Sequence, residues 1–334
     1  MTTRSRSIRV LAGAAFGAVL AVLALGVPPV AMAADNGQWS VFPTTVAGQP
    51  ARPFFQPLLT PGVPVADSFT ITNKTDEPLN VDLYAADAFN TPEGGYASRP
   101  PQAPKRDMGA WIDLPSANVT VNPNSALDVP FTVNPPLDAS PGDHAGSIVA
   151  VNTKASVSKS GSVNVRAIQA VGTRVYGRVA GPTTESIDVT SLELTTSGGV
   201  GALLGGPVDA DVTYKVVNTG NVRLSPKAQL EISPLVGGSK HVKPLALPEL
   251  LPRGSAVVHQ HVSGIWPFGK LTAKVQIVSA ASTETASSST FVIPWALLAI
   301  VVVLLVLLWW WLRRRRQRDE GEIAWSEVDV VKAR

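Results

Sequence analysis

The chain has 334 residues, with 28 basic, 25 acidic and no cysteine residues, and a formal charge of +3. Without cysteine, disulfide frameworks, thiolate nucleophiles and cysteine-ligated zinc are excluded. The charge sits at the two ends. Arg4, Arg6 and Arg9 stand without an acid in the first 33 residues, and residues 313–334 carry seven basic groups against five acidic ones. The stretch between is at a net −2. It has no concentrated basic stripe of the kind that binds a phosphate backbone, so nucleic acid is not an expected partner.

Behind the three N-terminal arginines, an apolar run from Val10 to about Val30 leads to Ala31-Met32-Ala33, a small-x-small cleavage pattern. Residues 1–33 therefore read as a secretory signal peptide, cut at Ala33 or Ala34; the alternative is an uncleaved N-terminal membrane helix.

From residue 35 onward, apolar and polar residues alternate. Leu79, Val81, Leu83 and Ala85 line one face of an expected strand; Leu127, Val129, Phe131 and Val133 line another. The pattern returns at Val212, Tyr214 and Val216, and again at Leu271, Ala273, Val275 and Ile277. A period of two with one apolar face marks antiparallel sheet with one side buried. Turn-forming clusters such as Asn73-Lys74-Thr75-Asp76 and Asn122-Pro123-Asn124 separate the runs. No amphipathic helix stands out.

The plan is also repeated. Phe69 to Asn73, a polar turn and Leu79 to Leu83 resemble Val212 to Asn218, a turn and Val222 to Leu224. Pro123-Asn-Ser-Ala126 likewise resembles Pro252-Arg-Gly-Ser-Ala256. Two copies predict an all-β chain of two tandem immunoglobulin-like β-sandwiches, over 35–181 and 182–278, divided near Gly181-Pro182. The first is expected to carry an extra hairpin from Val163 to Val179.

Residues 279–290 are small and polar and read as a flexible tether. Phe291 to Leu312 is uncharged for 22 residues, enough to cross a hydrocarbon core of about 30 Å as one C-terminal transmembrane helix. Trp309, Trp310 and Trp311 mark an interface, and Arg313 to Arg316 with Arg318 come next. Positive-inside bias predicts a cell-membrane protein with its N-terminus outside and residues 313–334 as a cytoplasmic tail.

Residues 39–181 resemble the WxL-interacting-protein peptidoglycan-binding domain. The segments that carry the resemblance are Phe54-Phe55 with Thr60-Pro-Gly62, Ala85 to Tyr96, Trp111-Ile112, Val119 to Pro123, and Pro135 to Gly146. The Gly142-Asp143-His144-x-Gly146 turn is the most distinctive part. The order of signal, domain, second sandwich, helix and basic tail resembles actinobacterial members. The resemblance implies peptidoglycan as ligand. It implies no host adhesion, because residues 182–280 do not match the host-binding domain of firmicute members.

Catalytic chemistry is not assembled in the sequence. His259 and His261, two apart on a strand, are too few to hold a metal alone. Asp143-His144 lacks a nucleophile in a recognisable elbow and reads as a turn into a strand. Neither Gly94-Gly95 nor Gly198-Gly199 opens a helix as a phosphate loop would. The expectation is a non-enzyme without metal or cofactor. The long Pro-rich segment Phe89 to Trp111 offers Tyr96, Arg99, Arg106 and Trp111 as candidate ligand-binding residues. A core role for Tyr96 and Trp111 is the competing reading. The expected function is peptidoglycan binding by a membrane-anchored envelope protein. The alternative is a scaffold that binds a secreted or membrane protein through sandwich edges or loops.

Overall fold

The computed structural model describes residues 34–160, 163–266 and 269–331. The expected signal peptide over 1–33 lies outside the described residues.

The first sandwich contains β1 (Trp39–Pro43), β2 (Leu58–Leu59), β3 (Val65–Asn73), β4 (Leu79–Asn90), β5 (Tyr96–Ser98), the one-turn helix α1 (Met108–Trp111), β6 (Ile112–Asp113), β7 (Asn118–Val121), β8 (Ser125–Val133), β9 (Gly142–Asn152), β10 (Ser156–Ser160), β11 (Val163–Ala167) and β12 (Ala170–Val179). One sheet has the order β1-β3-β8-β6. The facing sheet runs β2-β12-β9-β4-β5, with β7 beside the far end of β4. The alternation read from the sequence is what closes the core: Leu79, Val81, Leu83 and Ala85 face Val129, Phe131 and Val133, all buried. Phe55, Phe69 and Phe131 stack at its centre, the Phe55 and Phe131 rings meeting edge-on at 4.9 Å. The extra hairpin is β10–β11, over Ser156–Ala167. The expected partner strand, β12, instead lies in the main sheet against β9.

The second sandwich holds β13 (Ile187–Ser197), the single-turn α2 (Val200–Leu203), β14 (Val208–Asn218), β15 (Lys227–Pro234), β16 (Lys240–His241), β17 (Leu245–Ala246), β18 (Ser255–Ile265), β19 (Gly269–Val278) and β20 (Thr283–Val292). Its sheets are β13-β14-β18 and β16-β15-β19-β20, with β17 also on β15. Its core is aliphatic around Tyr214. The chain is thus all-β, with two tandem immunoglobulin-like sandwiches and one C-terminal apolar helix.

That helix, α3 (Trp295–Val331), begins two residues after β20. Its segment Trp295–Arg315 has a mean hydropathy of 2.7, buries none of its length in the protein, and is long and apolar enough to cross a membrane. Arg313, Arg314 and Arg315 lie over the rings of Trp309, Trp310 and Trp311, one turn earlier. The flexible tether is corrected here. Residues 283–292 form β20, paired along its whole length with β19. As a partly wet edge strand of Thr, Ser and Ala it buries no side chain, so it has no hydrophobic alternation to read. Backbone hydrogen bonds to β19 hold it instead.

The sequence repeat has a physical counterpart. Asn73 and Asn218, at equivalent strand ends, are 1% and 0% exposed. Each donates to the carbonyl four residues on, Glu77 or Val222, and to the turn that precedes β8 or β18. Each side-chain oxygen accepts the N–H two residues on. In those turns Asn124 and Arg253 are the two non-glycine residues with positive φ among the described residues, 48° and 62°. The aligned stretches of sequence therefore build the same corner twice.

Candidate functional site

The groups with chemistry converge where the sandwiches meet. The motif Gly142-Asp143-His144-Ala145-Gly146 opens β9, whose first nine residues are all buried. Gly142 takes φ +121°, and a Cβ there would meet the Asn221 carbonyl oxygen of the second sandwich at 2.2 Å. Only glycine fits. The Asp143 N–H donates to that same carbonyl at 2.8 Å.

The Asp143 carboxylate is 3% exposed. It accepts two bonds from the Arg178 guanidinium, at 2.6 and 2.9 Å, and a third from the Arg223 backbone N–H at 2.8 Å. Burial pushes its pKa up, but the bonds from Arg178 and Arg223 outweigh burial and hold it below the ordinary carboxylate value. From there the network crosses the joint. Arg223 lies 3.9 Å above the Tyr176 ring and donates to Glu249 at 2.7 Å, and the Tyr176 hydroxyl donates to the other Glu249 oxygen at 3.1 Å.

Two asparagines bond across the joint as well. The Asn221 amide donates to the carbonyls of Pro141 and Pro182. Asn90, at the end of β4, donates to the Glu249 carbonyl and accepts the Leu251 N–H. The Val257 N–H donates to the Pro92 carbonyl at 2.8 Å. Leu251 then packs on Ala145 and Tyr176 beneath Phe54 and Tyr96. These part-buried and exposed directional bonds tie the two sandwiches to each other.

His144 adds a lock within the first sandwich. Its Nδ1 lies 2.5 Å from an Asp107 carboxylate oxygen and its Nε2 2.8 Å from the Ser140 carbonyl. The two carbonyl-type oxygens favour a ring that donates from both nitrogens. Burial pulls the His144 pKa down, yet the bond and charge of Asp107, with help from Ser140 and Asp143, raise it above its ordinary value.

The expected ligand residues are distributed differently. Trp111 is 8% exposed in the core, with its ring 4.5 Å from His144, so it is no sugar platform. The Tyr96 hydroxyl donates to the Gly146 carbonyl, its ring meets Tyr176 edge-on, and Arg174 covers it at 4.5 Å. Arg99 and Arg106 are exposed to solvent in whole or in part, Arg99 lying over Phe89. Their loop is pinned by buried Asp87, whose carboxylate accepts the N–H groups of Arg106, Asp107 and Gly109. The structure thus separates the four residues: two build the joint and core, and two face water. His259 and His261 bond to Thr213 and Asp211 of β14. Among the described residues, no group of three or more His, Asp or Glu is placed to hold a metal.

Two clefts flank Asp143. One, of about 390 Å³, is lined by Asp107, Ser140, His144, Thr219 and Arg253. The other, of about 290 Å³, is lined by Pro57, Leu58, Tyr176, Arg178 and Arg223. Sequence reasoning does not single out Glu249; it reads Asp143 and Asn221 only as parts of turns, and Asn90 only within the Ala85 to Tyr96 segment of the resemblance.

No protein-family model matches the chain, and no curated protein matches it in sequence. Among solved structures, the class 5 fimbrial chaperone CfaA is 12% identical, with a TM-score of 0.35 over 76% of this chain and all of that one. The E. coli chaperone DraB is 13% identical, with a TM-score of 0.31 over 70% of this chain and 95% of that one. The Salmonella enterica SafA pilin–SafB chaperone complex contributes a chain 9% identical, at 0.32 over 71% and 93%. At these scores the likeness carries no argument about partners.

Proposed function

We propose that the protein is a non-enzymatic, membrane-anchored binding module, and that a protein segment docks at the joint between its sandwiches. The carrying observation is the cleft beside Asp143. It sets the 70%-exposed Leu58 next to the half-exposed Arg178 guanidinium and the Tyr176–Arg223 stack. Apolar surface beside arginine and tyrosine is what protein interfaces favour. In this reading α3 crosses the membrane with Arg313 to Arg316 on the cytoplasmic side, and both sandwiches face outward. The test is photo-crosslinking of the full chain in its native membrane, with the crosslinker at Leu58 and, as control, at Val46. A discrete adduct at Leu58 that disappears with Arg223→Glu is expected. Equal yields at the two positions would sink the proposal.

A second reading, peptidoglycan binding, is supported by Arg99 and Arg106. Both guanidinium groups reach solvent and suit carboxylates of the wall peptide. Sedimentation of the detergent-solubilised full chain with purified sacculi tests it. Retention that falls with Arg99→Ala and Arg106→Ala supports wall binding, and no retention above a control sandwich removes it.

A further inference from the structure

The second sandwich has two poles, and they are unlike. At one pole lie the Asn218–Asn221 turn and Leu250–Gly254, which hold the first sandwich. The opposite pole is fixed by register. β13 ends at Ser197, opposite Asp209 near the start of β14, and β18 ends at Ile265, opposite Val208. β15 ends at Pro234, opposite Leu271, and β20 ends at Val292, opposite Gly269. The turns 198–207 and 235–239, the end of β18 with Trp266, the start of β19 and the exit of β20 therefore share one end of the sandwich. Leu235 is tied there directly, its N–H donating to the Lys270 carbonyl.

These turns are unusual for a solvated surface. Residues 198–207, 235–239 and 266–269 contain no charged side chain; Lys240 and Lys270, which border two of these stretches, are basic, and the nearest acid in sequence is Asp209. Val200 is 79% exposed, Leu235 69%, Val236 63% and Trp266 57%, with Leu203 and Phe291 also exposed. Exposed apolar patches of this kind on one face call for an occupant.

The occupant is set by the chain path. Only Ile293 and Pro294 separate β20 from α3, and the Trp295 N–H already bonds to the Ile293 carbonyl. Three extended steps reach about 10 Å at most, and the polar layer on each side of the hydrocarbon is about 5–8 Å deep. α2 comes within 8 Å of α3, Cα to Cα.

From this geometry we infer that the apolar turns at the α3 end of the second sandwich, carrying Val200, Leu203, Leu235, Val236, Trp266 and Phe291, insert into the outer lipid interface. The sandwich stands on the bilayer as a rigid pedestal. The ligand is a lipid surface, its apolar boundary taken by the turns and its anionic headgroups by Lys240 and Lys270. This inference rests on the reading that α3 spans the membrane.

The chain has no native cysteine, so single labels test it directly. The full chain is placed in nanodiscs of phosphatidylethanolamine and phosphatidylglycerol, with an environment-sensitive fluorophore on Leu203→Cys, Val236→Cys, Leu304→Cys or Thr219→Cys. Nitroxide-bearing lipids, shallow and deep, are the quenchers. The expected result is blue-shifted emission at 203 and 236 with loss to the shallow quencher, loss at 304 to the deep one, and no loss at 219. Quenching at 304 with 203 and 236 behaving like 219 would overturn the pedestal and leave the span intact. No quenching at 304 would overturn the span and the pedestal with it. Quenching at 219 as well would mean the sandwich lies flat, and would overturn the upright pose.

Discussion

The two sandwiches share a corner and differ in nearly everything built around it. Asn73 and Asn218 tie the same strand end to the same turn, and Asn124 and Arg253 bend that turn with the same left-handed backbone. The first sandwich then fills its core with Trp39, Phe55, Phe69 and Phe131 and roofs the opening of β9 with α1 and Tyr96. The second relies on aliphatics and Tyr214 and leaves its far pole apolar and uncovered. A common frame specifies a fold, and what is added at each pole specifies use. One pole of the second sandwich binds its twin, and the other leads into an apolar helix.

The largest difference should appear in the cores. Phe131→Ala removes a ring packed edge-on to Phe55 and should cost the first sandwich about 3–5 kcal/mol. Ile232→Val in the second should cost only about 0.5–1.5 kcal/mol. Two-probe denaturation, following each sandwich by a separate label, reads both. Equal losses would mean that the cores are not distinct.

The shared corner predicts a match instead. Asn73→Ala and Asn218→Ala each strand buried carbonyls, and each should destabilise its own sandwich by about 1–3 kcal/mol. If one proves neutral, the corners are not equivalent.

At the joint the expected loss is smaller. Asp143→Asn should weaken coupling between the two unfolding transitions by about 1–2 kcal/mol, discounted because the Arg178 guanidinium is half exposed. Coincident transitions that stay coincident in the variant would contradict a role for the Asp143 pair.

The smallest effect is the pH dependence. Asp143 is held below its ordinary pKa, so its contribution is present above about pH 4 and is lost as pH falls through the depressed value. His144 is raised, so its contribution is full below about pH 6.5 and fades as pH rises through the folded value. Stability of the first sandwich should therefore be greatest between those limits, and Asp107→Asn should flatten the alkaline limb. A curve unchanged in that variant would remove the histidine lock.

Much of the frame is legible in the sequence, and for one reason. Where a strand has one wet face and one buried face, as at Leu79 to Ala85 or Leu271 to Ile277, the alternation is written in the residues. β20 reads as a tether because none of its side chains is buried, so pairing leaves no apolar trace. The long loop before Trp111 reads as a ligand surface. Its anchor, Asp87, lies in the preceding strand and works through backbone N–H groups that no side-chain pattern records. Trp111 and Tyr96 stand out as aromatics, but their partners, His144 and Tyr176, come from strands distant in sequence. The joint is hidden for the same reason: Asp143 and Arg223 are 80 residues apart.

Bonds around Asp143, Asn221 and Asn90 join the two sandwiches, and we expect the pair to move as one rigid body. Pulsed electron-spin distance measurement on the full chain in nanodiscs, with spin labels on Thr120→Cys and Glu193→Cys, tests this most directly. A single narrow distance distribution is expected, and it should broaden when Asp143→Ala is added. A broad distribution in the parent, unchanged by that substitution, would show two sandwiches that swing freely and would contradict the rigid joint.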